Sequence, residues 1–359
     1  MLQNVKKGGG KTRNSNLELY RIIVMLLIVA HHYVVNSELW TLMQDSPLTG
    51  NSIFLYLFGM WGKTGINCFV LITGYFMCKS KATIGKFLKL LLEVFFYEVL
   101  IYFVFLVTGI VDFGFRDCLK AFIPLGDVST GFTTSFIFFY QFIPFLNILI
   151  NGMDKRKHLL LIALCLFIYT IWNMSPFKVS YNYVSWFCIL YLIASYIRLY
   201  PNKYDTNVSF WRNLMVICIA ASCMTVVFGA YFHKKAYFFV SDSYAIMAVL
   251  TSICTFMYFK NLKIKQNKII NMMGASTFGV LLIHANSDAM RQWLWNDTLN
   301  NMSWFDSPYL WTHAVLSVIG IFVICVIIDR LRINFIEKPF FDSRFYKRME
   351  LSISLLLNK

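Results

Sequence analysis

A chain of 359 residues that is 58% apolar and only 14% charged, with a mean hydropathy of +0.59, lies far from the composition of soluble globular domains. Its net charge of +15 does not indicate a nucleic-acid partner, because no basic, aromatic-interleaved domain stands outside the apolar runs. A soluble enzyme is excluded, and an all-α, polytopic integral membrane protein embedded in a lipid bilayer is expected, its Lys and Arg setting orientation.

The N-terminal stretch MLQNVKKGGGKTR is basic and leads into an apolar run without a small-residue cleavage site, so it reads as preceding a retained first span. Ten segments are expected to cross as helices, at approximately 17–36, 52–78, 84–109, 133–150, 157–173, 183–199, 211–232, 242–259, 269–289 and 310–331. Strands are disfavoured because the runs lack two-residue alternation and leave no room for the hairpins of a barrel. The first span, NLELYRIIVMLLIVAHHYVVN, contains Glu18, Arg21, His31 and His32. In the second, Gly59, Gly62 and Gly65 permit close helix approach or mark a break, expected near Trp61–Thr64, and Lys63 falls there. Before the third lies KSKATIGKFLK, with Lys79, Lys81, Lys86 and Lys89. These lysines read either as ordinary cytoplasmic charge or as a phosphate clamp for an anionic ligand. The ninth span carries GASTFGVLLIHANSDAM, where His284 and Asp288 share one face of a continuous helix.

No internal repeat is evident and no loop is long enough for a soluble domain. The chain is read as one membrane domain over 1–359, with a basic N-terminus at 1–16, a bundle at 17–333 and a tail at 334–359. The nine cysteines lie mostly in apolar runs without any C-x-x-C pair, which suggests neither a metal site nor a redox motif. One alternating set of connections comprises the N-terminus, the loops near 80–89, 154–158, 198–212 and 260–268, and the tail after 329. It holds 25 of the 33 Lys and Arg, whereas the opposite set holds six. That asymmetry places both termini in the cytoplasm, and only His233-Lys234-Lys235 weighs the other way.

At 100° per residue, His32 lies about 20° around the first helix from Arg21 and Glu18 about 60°. His31, about 80° away, need not face the same site. Arg21 and His32 are separated by about 16 Å along the axis, so they do not touch. Taken alone, Arg21 reads as a snorkelling anchor paired with Glu18, and His32 as an interhelical hydrogen bond. On one face together they favour a lined cavity. Counting rise along their spans puts His32, Lys63 and His284 each about 22 Å from the cytoplasmic end, which predicts a polar chamber in the outer half.

These residues resemble the membrane acyltransferase 3 family of bacterial O-acyltransferases, from about Leu17 to Phe341. Arg21 and His32 have the family's spacing of a basic residue, ten residues and a histidine. GINCFVLITGY (65–75) is similar to its second-span pattern ending in Ser-Gly-Phe, here Thr73-Gly74-Tyr75. Lys86-Phe-Leu-Lys89 stands where the family has R-x-x-R, and the exchange forfeits bidentate phosphate recognition. GASTFGVLLIH (274–284) resembles the late glycine-to-histidine span, and FIEKPF (335–340) the C-terminal Glu-x-Pro. FIFFYQFIPFLN (136–147) and SWFCILYLIASYIRLY (185–200) look like segments of members that modify capsular or surface polysaccharides.

The resemblance implies a multi-pass protein of the bacterial cytoplasmic membrane. It would transfer an acyl group, usually acetyl, from cytoplasmic acyl-CoA to a hydroxyl of a glycan or lipid-linked oligosaccharide. Arg21, Lys86 and Lys89 would hold the donor's nucleotide while its slender arm threads toward His32. His32 would act as general base or as an acylated nucleophile. His284, held by Asp288, would orient the acceptor or stabilise charge, and Lys63 would stabilise the oxyanion if the helix break points it inward. Acyl-CoA is thus a co-substrate, and no metal is called for. The main rival is a transporter or flippase for an anionic or glycolipid substrate, using the same charges as a pathway. A receptor-like or assembly protein without turnover is a third reading.

Overall fold

The computed structural model describes residues 13–80, 82–123, 131–232 and 235–357. Most of the basic N-terminus, Lys81, and His233 and Lys234 of the opposing basic cluster lie outside the described residues. Among those described, every regular element is a helix. In chain order they are α1 (Ser15–Val35), α2 (Leu39–Asp45), α3 (Gly50–Gly59), α4 (Gly62–Met77), α5 (Ile84–Val107), α6 (Phe115–Phe122), α7 (Phe132–Asn151) and α8 (Lys155–Leu166). They continue with α9 (Tyr183–Leu199), α10 (Val208–Tyr231), α11 (Ile246–Asn261), α12 (Lys268–Ala275), α13 (Thr277–His284), α14 (Asp288–Arg291), α15 (Leu310–Arg332), α16 (Lys338–Asp342) and α17 (Arg344–Leu357).

Local chemistry sets many of the boundaries. The side chains of Thr83, Asp154, Asn182, Asn207 and Asn267 each accept a hydrogen bond from a backbone N–H in the first turn that follows. Those amides have no partner inside their own helix.

Among the described residues, seven helices are long and apolar enough to cross a membrane, eight if the bent pair 268–284 and 288–304 is one span. The remaining two expected segments are α9 and α11, of 17 and 16 residues. They sit within the bundle: Trp186, Phe187, Leu190, Tyr191 and Ala194 of α9 are fully buried. A helix surrounded by protein need not match the thickness of the lipid. Two expected loops contain short helices, α2 and α6.

At the centre stands α1, packed against α3, α4, α11, α12, α13 and α15. Glycine makes that crowding possible. A Cβ on Gly62 would run into the His31 ring, on Gly65 into Ile28, and on Gly59 into Val34. The stripe therefore lets α1 approach closely and also borders the break, which falls at Met60–Trp61, one position before the expected stretch.

The ninth expected span differs from its sequence reading. The continuous helix over 269–289 is interrupted at Ser276 and ends at His284, and the chain then turns by 96°. Ser287 caps the new helix α14 by accepting from Met290 N–H at 3.1 Å. A serine side chain that competes for backbone hydrogen bonds in this way starts a new helix where the apolar run meets polar residues.

Candidate active site

A cavity of about 1220 Å³ runs beside α1 and is lined by both Arg21 and His32. Further walls come from α4, α5, α7 and α13 and from the loop leading to α14. The face of α1 deduced from residue spacing is therefore the face that borders the cavity. His31 lines it as well, although the helical angle set it apart. Its Nδ1 donates to the Gly59 carbonyl at 2.5 Å, at the interruption between α3 and α4.

His32 and His284 meet. His32 Nδ1 lies 3.0 Å from His284 Nε2, and His284 Nδ1 lies 2.6 Å from the Val280 carbonyl. A carbonyl oxygen only accepts, so His284 Nδ1 carries a proton. With both rings neutral, His284 Nε2 is then a lone pair and accepts from His32 Nδ1–H. That chain of bonds leaves the lone pair of His32 on Nε2, which has no hydrogen-bond partner among the described residues. An imidazole held in this tautomer is arranged to take a proton.

Asp288 does not hold His284, contrary to the sequence reading. The turn after His284 carries Asp288 to the mouth of the cavity, where its side chain is 96% exposed and pairs with Arg291 at 2.8 Å. The i, i+4 argument required a continuous helix, and the helix stops. The Val280 carbonyl, inside α13 itself, does the orienting instead.

Lys63 lines the same cavity, two residues past the break in the second span, and Nζ donates to Tyr183 Oη at 2.6 Å. Its neighbour Gly62 lies against the His31 ring, so Lys63 and the imidazoles are at one level. At the far end, Arg21 Nη1 donates to Glu18 Oε1 at 3.2 Å, and Arg13 reaches Glu18 Oε2 at 3.1 Å. Glu18 is packed against Gly274, where a side chain would not fit.

The two lysines expected to clamp phosphate are not among the residues lining the cavity. Lys86 is exposed and donates to Ser80 Oγ at 2.7 Å. Lys89 pairs with Glu337 Oε1 at 2.5 Å. Glu337 in turn belongs to a buried cluster that sequence reasoning did not find. Arg332 bonds Glu93 at 3.0 Å, Asp329 at 2.9 Å and Glu337 at 2.8 Å, and Tyr97 Oη donates to Asp329 Oδ1 at 2.8 Å. A π-helical turn over Ile333–Glu337 widens the helix so that residues five apart face each other, which brings Glu337 to Arg332. The Glu-x-Pro motif thus contributes a carboxylate to this cluster.

Thr73-Gly74-Tyr75 also acquires a structural meaning. Thr73 lines the cavity, Gly74 touches Tyr191 and Ala194 of α9, and Tyr75 Oη accepts from Arg198 at 2.6 Å. Two acidic residues of α5, Glu93 and Glu98, were passed over in the sequence although both interrupt the apolar run KLLLEVFFYEVLIYFVFLV. The signal was present, because an ionisable residue in a span always requires an explanation. Glu98 lines the cavity.

A family model described as an acyltransferase domain matches residues 14–330. A search of the curated proteins finds no match, and neither does a search of the solved structures. The matched segment contains the whole of α1, the paired histidines and every residue lining the cavity, and the all-helical, multi-pass architecture suits it. The chain belongs to the acyltransferase 3 family of membrane acyltransferases.

Proposed function

We propose that this membrane acyltransferase moves an acetyl group from cytoplasmic acetyl-CoA to a hydroxyl of a surface, capsular or lipid-linked glycan, in the cytoplasmic membrane of a bacterium. The observation that carries the reading is a single cavity bordered at one end by Arg21 and at the other by the bonded pair His32–His284. On the positive-charge asymmetry, the Arg21 end faces the cytoplasm. The nucleotide of the donor stays there, and its arm lies along α1 for about 16 Å, so that the thioester reaches the imidazoles. Arg21 is the cation in contact with the donor. Lys86 and Lys89, outside the cavity wall, contribute positive field at its approach.

His32 Nε2 takes the proton of the acceptor hydroxyl as its oxygen bonds to the thioester carbonyl carbon. Lys63 Nζ, on the same wall, stabilises the oxyanion that develops. The carbon–sulfur bond then breaks, and the proton held on His32 passes to the departing thiolate. The products are an ester and free CoA. His284 fixes the His32 tautomer and bears part of the charge when His32 is protonated.

Purified protein in liposomes, supplied with labelled acetyl-CoA and glycan acceptors, is expected to release CoA and label the glycan, and His32→Ala is expected to abolish both. Acceptor moved across the bilayer without modification would instead make the protein a transporter.

A further inference from the structure

Of the two carboxylates within α5, Glu93 is accounted for by Arg332, at 3.0 Å. Glu98 is not: it makes no ion pair among the described residues, yet it sits within an apolar helix and lines the cavity. A carboxylate in such a place is costly unless a partner or a ligand uses it. Glu98 faces Asn286. Asn286 also lines the cavity, and its amide nitrogen, turned toward the Glu98 carboxylate, has no well-formed hydrogen bond. A buried amide without a well-formed partner is itself exceptional. Asn286 lies two residues beyond His284, in the break between α13 and α14, so the imidazole and the amide are placed by the same turn.

The chemistry of this couple suits the acceptor better than the donor. A carboxylate repels the donor's phosphates, and the donor's arm offers isolated amides and a single hydroxyl rather than a row of adjacent hydroxyls. A sugar hydroxyl both donates and accepts, so neighbouring hydroxyls on one ring complement a carboxylate beside an amide. We propose that Glu98 and Asn286 form the acceptor subsite, binding ring hydroxyls next to the one presented to His32. The assignment rests on the glycan O-acylation reading above and extends it to the part of the acceptor that is held: polyhydroxylated rings are taken, and simple alcohols are poor acceptors.

The test uses the full chain in liposomes with radiolabelled acetyl-CoA. Acceptor probes are methyl hexopyranosides, methyl glycosides lacking one hydroxyl, and propanol. Glu98→Gln is expected to raise the half-saturating concentration of the accepted methyl glycoside by about ten- to a hundredfold, the loss of a hydrogen bond to a charged group. Half-saturation by acetyl-CoA is expected to stay at the wild-type value, and an unchanged thermal unfolding midpoint in detergent shows that the variant is folded. Asn286→Ala is expected to act in the same direction, more weakly. One deoxy glycoside is expected to be poor for the wild type and no poorer for Glu98→Gln. Acceptor half-saturation unchanged in Glu98→Gln, or raised equally for donor and acceptor, overturns the subsite. A wild type that acylates none of the sugars overturns the underlying function as well.

Discussion

A neutral imidazole has one donor and one acceptor, and in this protein a single backbone carbonyl decides which nitrogen of His32 is which. Val280 accepts from His284 Nδ1, His284 Nε2 accepts from His32 Nδ1, and the lone pair of His32 is left on Nε2. His284→Phe removes the acceptor and frees the His32 ring to rotate and change tautomer. Its turnover is expected to fall by about 10²–10⁴-fold, the range of a lost acid–base contribution. His284→Gln, whose side-chain oxygen still accepts, is expected to retain more activity than His284→Phe. Half-saturation by acetyl-CoA is expected to change little in either. A merely structural role for His284 predicts equal losses in the two variants, with thermal stability falling in step. Steady-state kinetics alongside thermal unfolding in detergent separates the cases.

Among the elements, α1 is the axis, and its neighbours are held to it by opposite means. On the α3–α4 side, glycines at 59, 62 and 65 remove side chains so that backbone meets the α1 surface. Between α5 and α15, charge does the joining. Arg332, Glu93, Asp329, Glu337 and Lys89 form one cluster with Asp329 fully buried, and Gly279 of α13 is packed against it. Three carboxylates pair with Arg332, and of these only Glu337 has a second cation, Lys89, so Arg332→Ala leaves Glu93 and Asp329 without compensation. Loss of about 3–5 kcal/mol is expected, the cost of breaking a buried pair by removing one partner. Arg332→Lys is expected to recover part of that only, since an ammonium does not reproduce the planar fork that reaches three carboxylates. Thermal unfolding of the two variants in detergent checks both statements. An unchanged midpoint in Arg332→Ala would show that the cluster does not support the α5–α15 joint.

For the molecule as a whole, the orientation proposed from the charge asymmetry puts the Arg21 end of the cavity inside and the Asp288 end outside. Single cysteines replacing Lys86 and Asp288, in a chain whose nine native cysteines have been replaced, are expected to react with an impermeant maleimide from opposite sides of the membrane. Both side chains are exposed, so each is open to the reagent. Reaction of both from the same side refutes the orientation and, with it, the direction in which the donor is proposed to thread.

The membrane-embedded helical character and the shared Arg21–His32 face were legible in the amino-acid order. So were the positions of the apolar segments, because hydrophobic length and a 100° turn per residue are local properties. The His32–His284 bond was only anticipated as a shared depth, since residues 252 positions apart in the chain are brought together by packing alone. The Asp288 proposal failed at a helix break where the Ser287 side chain caps a new helix, in competition with an otherwise continuous apolar pattern. Lys89 turned from the expected phosphate site to Glu337 because a π-helical turn, invisible in composition, swung that carboxylate beneath it. Sequence by itself determined which groups pay the penalty of standing in the membrane. Tertiary structure decided their partners, because a hydrogen bond or an ion pair acts over about 3 Å, and only the folded bundle sets distances on that scale.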